Sequence, residues 1–488
     1  MNNLLQPAAE IVQILAEQNP WHSGDGVPRF LAPPVERPLA QALWRSVLRA
    51  GPRRFTLILG ARRVGKTTVM YQTVRHLLDG GLDPDRVWWL RLDHPVLLRE
   101  DLGRLVRLVI DTAGATAANP AHLMLDEIVY ARDWDIWLKT FYDEHWPVRV
   151  VATSSATAAL RTRRLESGVG RWVDRYLAPY GFSEYLDLVG ETVDLPPADS
   201  LAESLRLLPL RISTGVPLAG LRRSFMLLGG FPELLRGERE RREDLDDVTR
   251  LLESQQLLRA DAVERAVYKD IPQSFGVASP MRLERLLYVL AAQMTGMLSP
   301  SKIGAELGLS QPTFDRYLSY LEQAFLVFTL PGWSASEEAR QRRGRKLYFV
   351  DGAVRNAALQ RGLAPLTNPA ELGALTENLV AAALHGLSEQ TGQRLYHWRD
   401  GRREVDFVLD DVERPLAFEV ASSGRHSTEG LRALLSNNPR FEGGAYLVAP
   451  DVPVRHPDGP GDTGTLPLDP FLVSVGRQAQ ASLVHRLV

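Results

Sequence analysis

The 488-residue chain has no cysteine, which excludes a disulfide framework, thiolate metal sites, iron–sulfur clusters and a cysteine nucleophile. With no redox argument for secretion, a cytoplasmic location is expected. Long apolar runs are lacking too. The longest charge-free window, Leu286 to Leu298, is broken by Gln, Thr and Gly and falls short of the roughly 20 residues a bilayer requires. The opening stretch, MNNLLQPAAEIVQILAEQ, lacks a basic n-region and spaces Leu4, Leu5, Ile11, Val12, Ile14 and Leu15 as an amphipathic helix rather than a signal. No membrane partner is expected. Net charge is also scarce: 57 Lys plus Arg against 59 Asp plus Glu leaves −2, so the whole chain carries no polyanion-binding signature. Lysine is rarest of the charged residues, at positions 66, 139, 269, 302 and 346 only, and the other 52 basic residues are arginine. A lysine that survives such replacement marks a position to follow.

What is present is ordinary globular usage, 45% hydrophobic and 24% charged, over a length that suggests about three domains at roughly 150 residues each. One motif stands out. The apolar strand Phe55-Thr-Leu-Ile-Leu59 runs into Gly60-Ala61-Arg62-Arg63-Val64-Gly65-Lys66-Thr67-Thr68 and then the amphipathic VMYQTVRHLL. This is a Gly-x4-Gly-Lys-Thr phosphate-binding loop between a strand and a helix, the context its chemistry needs. Small glycines let backbone N–H groups from Gly60 to Thr68 wrap a phosphate, and the helix N-terminus adds partial positive charge. Lys66 is expected to reach the β- and γ-phosphates of ATP, and Thr67 to ligate Mg²⁺.

A second strand, His122-Leu-Met-Leu125, ends in Asp126-Glu127. Asp126 is placed for the Mg²⁺ shell and Glu127 to polarise an attacking water, which favours hydrolysis over phosphoryl transfer to a substrate. The strand from Val148 ends in Thr153-Ser154-Ser155, hydroxyl groups suited to sensing the γ-phosphate; Thr153 or Ser154 is the expected sensor. Four strands (55 to 59, 87 to 92, 122 to 126, 148 to 153) alternate with helical segments, so a parallel sheet is predicted with nucleotide at its carboxyl ends. Among Arg161, Arg163, Arg164, Arg171 and Arg175, Arg171 follows Gly170 and is the candidate arginine finger for a neighbouring subunit.

Beyond these motifs the chain resembles the prokaryotic AAA-like P-loop ATPases joined to a winged helix and a restriction-endonuclease-like C-terminal region. The resemblance rests on the order of Asn19-Pro20-Trp21, GARRVGKTT, LMLDEI, TSSA, Gly170-Arg171, Leu177-Ala-Pro179-Tyr-Gly-Phe182-Ser-Glu184, Gly229-Gly230-Phe231-Pro232-Glu233, YKDIP, KLYFVD, ENLV, EVDFVL and FEVASS. It implies an α/β fold: an AAA-like ATPase domain over 1–195, a helical lid over 196–275, a winged helix over 276–352 and an α/β endonuclease-like domain over 353–488.

Ser301 to Leu321 also reads as helix-turn-helix on its own residues, with Gly308 at the turn and Thr313, Arg316 and Tyr317 on the second helix. Two apolar strands follow, around a loop with Arg340, Arg342, Arg343, Arg345 and Lys346, which reads as a basic wing for DNA phosphates. In the last region Glu377 on a helix, Asp406 on EVDFVL and Glu419 on PLAFEV repeat the carboxylate pattern of Mg²⁺-dependent nucleases. Ala421 stands where that pattern has lysine, and Arg425 is four residues on, so a degenerate core used for binding is expected rather than cleavage.

The expectation is therefore an ATPase that uses Mg²⁺ and ATP to rearrange modules contacting DNA, as a homo-oligomer or with a protein partner. The rivals are a slow ATP-gated regulatory or defence switch without motor activity, and an ATP-regulated nuclease.

Overall fold

The computed structural model describes residues 8–48, 54–154, 170–208, 217–235, 247–422 and 426–487. Arg161, Arg163, Arg164 and Arg425 lie outside them, as does the side chain of Arg342. The chain divides into two compact units, one of Met1–Leu177, Asp270–Gly276 and Leu483–Val488 and one of Ala178–Lys269 and Val277–Ser482. The expected boundaries at 275 and 352 fall next to or inside the second unit, and residues 178 to 195 cluster with that unit.

The first unit is built on five strands: β1 (Phe55–Leu59), β2 (Val87–Arg91), β3 (Ala121–Asp126), β4 (Val148–Thr153) and β5 (Trp172–Tyr176), in the order β2-β3-β4-β1-β5. Every pairing is parallel. Parallel strands covered on both faces must be apolar throughout, and β1 and β3 are buried at every position. Helices Lys66–Asp79, Leu102–Ala113 and Trp134–Asp143 supply the crossovers. This order places β4 between β1 and β3, so the end of β4 sits between the phosphate loop and Asp126-Glu127.

The edge strand β2 would present open backbone groups, and the Asn19-Pro20-Trp21 piece covers them. Asn19 Nδ2 donates to Trp89 O at 3.0 Å, its Oδ1 accepts from Trp89 N–H at 2.5 Å, and Trp21 Nε1 donates to Val87 O at 2.8 Å.

The second unit begins with helices Phe182–Val189, Leu201–Arg206, Leu218–Leu228 and Asp247–Leu258. Helices Pro280–Ala292, Pro300–Leu307 and Gln311–Gln323 come next, the last two joined by a turn that includes Gly308 at φ +63°. β6 (Val327–Pro331) and β7 (Arg345–Phe349) pair antiparallel. The rest is a mixed sheet of β8 (Arg394–Asp400), β9 (Arg403–Asp410), β10 (Leu416–Val420), β11 (Ala445–Ala449) and β12 (Gly464–Pro467), flanked by helices that include Pro369–Thr391 and Glu429–Asn437. Its core includes Trp333, Trp398, Val405, Leu434 and Phe441.

Three motifs that are far apart in sequence meet here. Helix Leu218–Leu228 stops at Gly229, φ +76°, and Gly230 then runs against Tyr180, whose N–H donates to Gly230 O at 2.7 Å. Gly230 N–H donates to Asp351 Oδ2 at 2.6 Å, and Asp351 Oδ1 accepts from Ala353 N–H at 2.8 Å. A Cβ at Gly230 would lie 2.2 Å from Tyr180 O and 2.6 Å from Tyr180 N, both backbone atoms that cannot turn aside. Gly230→Ala is therefore expected to destabilise the second unit by about 3 kcal/mol. A urea-midpoint comparison with wild type checks this, and equal midpoints would show that the close approach is dispensable.

Candidate active site

The carboxyl ends of β1, β3 and β4 bring the first set of expected residues together. Gly60 leaves β1 so close to β5's end that a Cβ would sit 2.3 Å from Leu177 O, and Leu177 N–H donates to Leu59 O at 2.7 Å. Arg63 (φ +68°) and Gly65 (φ +92°) take left-handed backbone to close the loop. Ala61 and Val64 are buried, and Thr68 lies in the first turn of the helix that Lys66 opens. Lys66 is 7% exposed and donates to Gly60 O at 2.9 Å and Ala61 O at 2.8 Å. Burial lowers its pKa to about 8, with Glu127 and Asp126 pulling the other way. Neutral carbonyls thus hold an ammonium that burial disfavours, and a phosphate would supply the missing counter-charge.

Thr67 Oγ1 lies 3.3 and 3.2 Å from the two oxygens of Asp126. Burial, then the neighbouring Glu127, raises the Asp126 carboxyl to about 7. A hydroxyl and a carboxylate side by side fit Mg²⁺, which commonly takes one or two carboxylates and completes its shell with phosphate and water. Glu127 has φ +55°, a left-handed conformation in a residue other than glycine, and Ser154 Oγ donates to its Oε2 at 3.1 Å. Thr153 Oγ1 instead turns to Ile58 O at 3.4 Å, so Ser154 is the hydroxyl facing the carboxylate. Arg63 and Glu127 are two of the seven non-glycine residues at positive φ among the described residues, and both fall at this site.

Asp270 is the residue the sequence reading missed at this site. Its carboxylate takes a bidentate pair from loop residue Arg62, Nε to Oδ2 and Nη2 to Oδ1, both at 2.9 Å and largely buried. YKDIP is quoted above only as part of a resemblance, and no local spacing links positions 62 and 270. Arg171 stands elsewhere: its carbonyl accepts from Phe55 N–H at the start of β1, opposite the loop, and its guanidinium pairs with Asp143 at 2.8 and 3.0 Å.

A second cluster lies in the other unit. Lys346 Nζ sits 2.8 Å from Glu377 Oε1, 2.7 Å from Glu404 Oε1 and 3.1 Å from Asp406 Oδ1, which uses all three ammonium protons. Tyr348 OH donates to Glu377 Oε1 at 2.8 Å, and Val420 N–H to Asp406 Oδ2 at 2.9 Å. Glu419 meets His426 at 3.0 Å through Oε1. Burial opposes the Lys346 charge, but the carboxylates outweigh it and hold its pKa well above the ordinary value. Burial and Asp406 push Glu377 up to about 7 and Glu419 up to about 8.

Residues 52–186 match the family model of an AAA domain, residues 220–364 that of a domain of unknown function (DUF8612), and residues 372–457 that of another (DUF4143). The chain therefore carries an AAA P-loop domain followed by a DUF4143 domain. It is 23% identical over 391 residues to an uncharacterized protein of Methanocaldococcus jannaschii, covering 78% of each chain. To an uncharacterized protein of Haemophilus influenzae it is 21% identical over 391 residues, covering 78% of this chain and 86% of the relative. Among solved structures, Cdc6p from Pyrobaculum aerophilum aligns at 14% identity over 69% of this chain and 97% of its own, with a TM-score of 0.26, a likeness that carries no argument.

The second unit corrects two expectations. Lys346 is 3% exposed and bound to carboxylates, so it is not a wing residue reaching for phosphate. The supposed wing loop is partly helical, Glu337–Arg342, and its Arg340 side chain, 13% exposed, pairs with Asp410 at 3.1 Å and lies over the rings of Tyr396 and Trp333. Both positive charges are consumed inside the fold. Nor are the carboxylates left without a cation because Ala421 replaces lysine, since β7 delivers Lys346 from another part of the chain. Arg316, Arg343 and Arg345 remain exposed.

Lys346→Met would leave three buried or half-buried carboxylates facing one another. A loss of about 3 kcal/mol is expected, as for a buried ion pair stripped of one partner. Urea unfolding followed by tryptophan fluorescence measures it. A loss under about 1 kcal/mol would mean that the carboxylates do not depend on this ammonium.

Proposed function

We propose that the chain binds ATP with Mg²⁺ in its AAA domain, hydrolyses it, and passes the change to C-terminal modules that contact DNA or protein. The observation that carries this reading is the convergence of Lys66, the Thr67–Asp126 pair and the Ser154-held Glu127 at the ends of three adjacent strands. Backbone N–H groups from Gly60 to Lys66 and the start of helix Lys66–Asp79 bind the phosphates. Lys66 exchanges the Gly60 and Ala61 carbonyls for phosphate oxygens, gaining the counter-charge its burial lacks. Thr67 and Asp126 hold Mg²⁺, which supplies charge neutralisation at the phosphates when bound. Glu127, oriented by Ser154, takes a proton from the attacking water. Since Arg171 lies at the far end of β1 from its own loop, its role as a finger is one for a neighbouring subunit in a homo-oligomer.

Arg62–Asp270 supports the coupling. Asp270–Gly276 folds with the ATPase unit, while the residues before and after it belong to the other unit. The approach is through π-helical turns at Arg259–Glu264 and Ala266–Asp270, a geometry that often marks functional sites. Phosphates arriving at the loop compete with Asp270 for Arg62, so nucleotide occupancy alone loosens this tether. The same pair also favours the second reading, an ATP-gated switch in which occupancy rather than turnover matters.

ATP hydrolysis with Mg²⁺, with and without DNA at low salt, tests the first reading. Lys66→Ala and Glu127→Gln are each expected to lower turnover by about 100-fold or more. A wild type that binds ATP but turns over no faster than Glu127→Gln would leave the switch. For the tether, ATP should raise amide exchange across residues 266–280 in wild type, and Asp270→Asn should show the raised rate without ATP. Exchange in Asp270→Asn that still waits for ATP would remove the pair from the coupling.

A further inference from the structure

Within the second unit, β6, the start of β7, the end of helix Pro369–Thr391 and the start of β8 enclose a recess of about 790 Å³. Arginines 343, 345 and 394 line it, and Arg340 forms part of its wall. Arg340 is consumed by Asp410, as shown above, but the others are not. Arg345 is exposed and makes no side-chain hydrogen bond or ion pair among the described residues. Arg343 is exposed and gives one N–H to Arg399 O at 2.8 Å, with no carboxylate partner among those residues. Arg394 is 68% exposed, lies 3.6 Å from Glu337 and also meets the Tyr396 hydroxyl. Two carboxylates, Glu337 and Glu389, also line it, against three arginines besides Arg340.

The lining also offers flat π surface. His385 lies flat on Phe328, ring centroids 4.1 Å apart and 9° from parallel, and it lines the recess, where Tyr396 is buried with Arg340 over its ring. Planar guanidinium forks recognise phosphate oxygens two at a time. Aromatic faces take unstacked bases without regard to sequence. A concave site of this volume is the size for a small ligand or an unpaired nucleotide unit, and a base held within a duplex has no face to offer it.

We infer that this recess binds single-stranded nucleic acid, with Arg343, Arg345 and Arg394 on the phosphodiester backbone and a base against His385. The inference deepens the proposed function by naming the partner of the C-terminal half. It requires neither ATP nor hydrolysis, so the two readings fail separately.

Fluorescence anisotropy of a labelled oligo-dT, with full-length protein and no nucleotide, tests it. Wild type is expected to bind oligo-dT more tightly than the duplex or an abasic strand of equal length, with affinity falling steeply as salt rises. Arg343→Ala/Arg345→Ala, both at exposed positions, should weaken binding about tenfold or more and flatten the salt dependence, while Arg432→Ala, an exposed arginine on helix Glu429–Asn437, leaves it unchanged. His385→Ala should erase the preference over the abasic strand. Equal affinity in the double variant, tighter binding of duplex, or displacement of oligo-dT by polyglutamate at equal charge would each overturn the inference, the last in favour of an acidic protein segment.

Discussion

A buried ammonium is stable only in proportion to the negative charge that surrounds it, and this constraint organises both halves of the chain. Lys66 and Lys346 are the two buried lysines among the described residues, and burial disfavours the charge of each. Lys346 is answered inside the fold by Glu377, Glu404 and Asp406, so its charge is secured and its protons are all engaged. Lys66 is answered only by two carbonyls and more distant carboxylates, and its pKa drops to about 8. One lysine therefore closes a structure and the other leaves one open to an anion. The same side chain at similar burial thus takes opposite roles because of what stands within 3 Å or so of its nitrogen.

The open site depends in turn on strand order. Because β4 lies between β1 and β3, the hydroxyl of Ser154 falls between loop and carboxylates, where it can hold Glu127 without entering the Thr67–Asp126 pair. A meander of the same strands would separate these groups. The left-handed backbone at Glu127 is held by its neighbours on a rigid sheet, which is the condition under which such strain persists.

How much of this is legible in the sequence follows from the range of the interactions. The loop, its strand and helix, Asp126-Glu127 and the Gly308 turn are local patterns, and periodicity with glycine placement exposes them. Gly229-Gly230 and Asp351 are visible as separate motifs, but that Tyr180 and Asp351 both pack on Gly230 is a tertiary fact without local trace. Arg62–Asp270 is the same kind of case, two charged residues whose pairing needs the chain to return to the loop. Lys346 reads as a wing residue in the sequence because it ends a run of basic residues. Its neighbour Arg345 is exposed while Lys346 is buried under the helix that carries Glu377, and only the packing of that helix separates their fates.

That contrast bears on how charge in an arginine-rich chain is read. Counting the basic residues from 340 to 346 gives a dense cationic loop, yet Arg340 and Lys346 are neutralised by Asp410 and the carboxylate cluster. The recess proposed to meet a polyanion presents the remainder, Arg343 and Arg345, beside Arg394 from β8 and the His385 ring from helix Pro369–Thr391. The field that matters is therefore assembled from several elements after internal pairing is complete. A site of that origin overlaps the densest stretch of charge in the sequence only at Arg343 and Arg345 and takes in Arg394 from β8, so the basic run by itself does not define it.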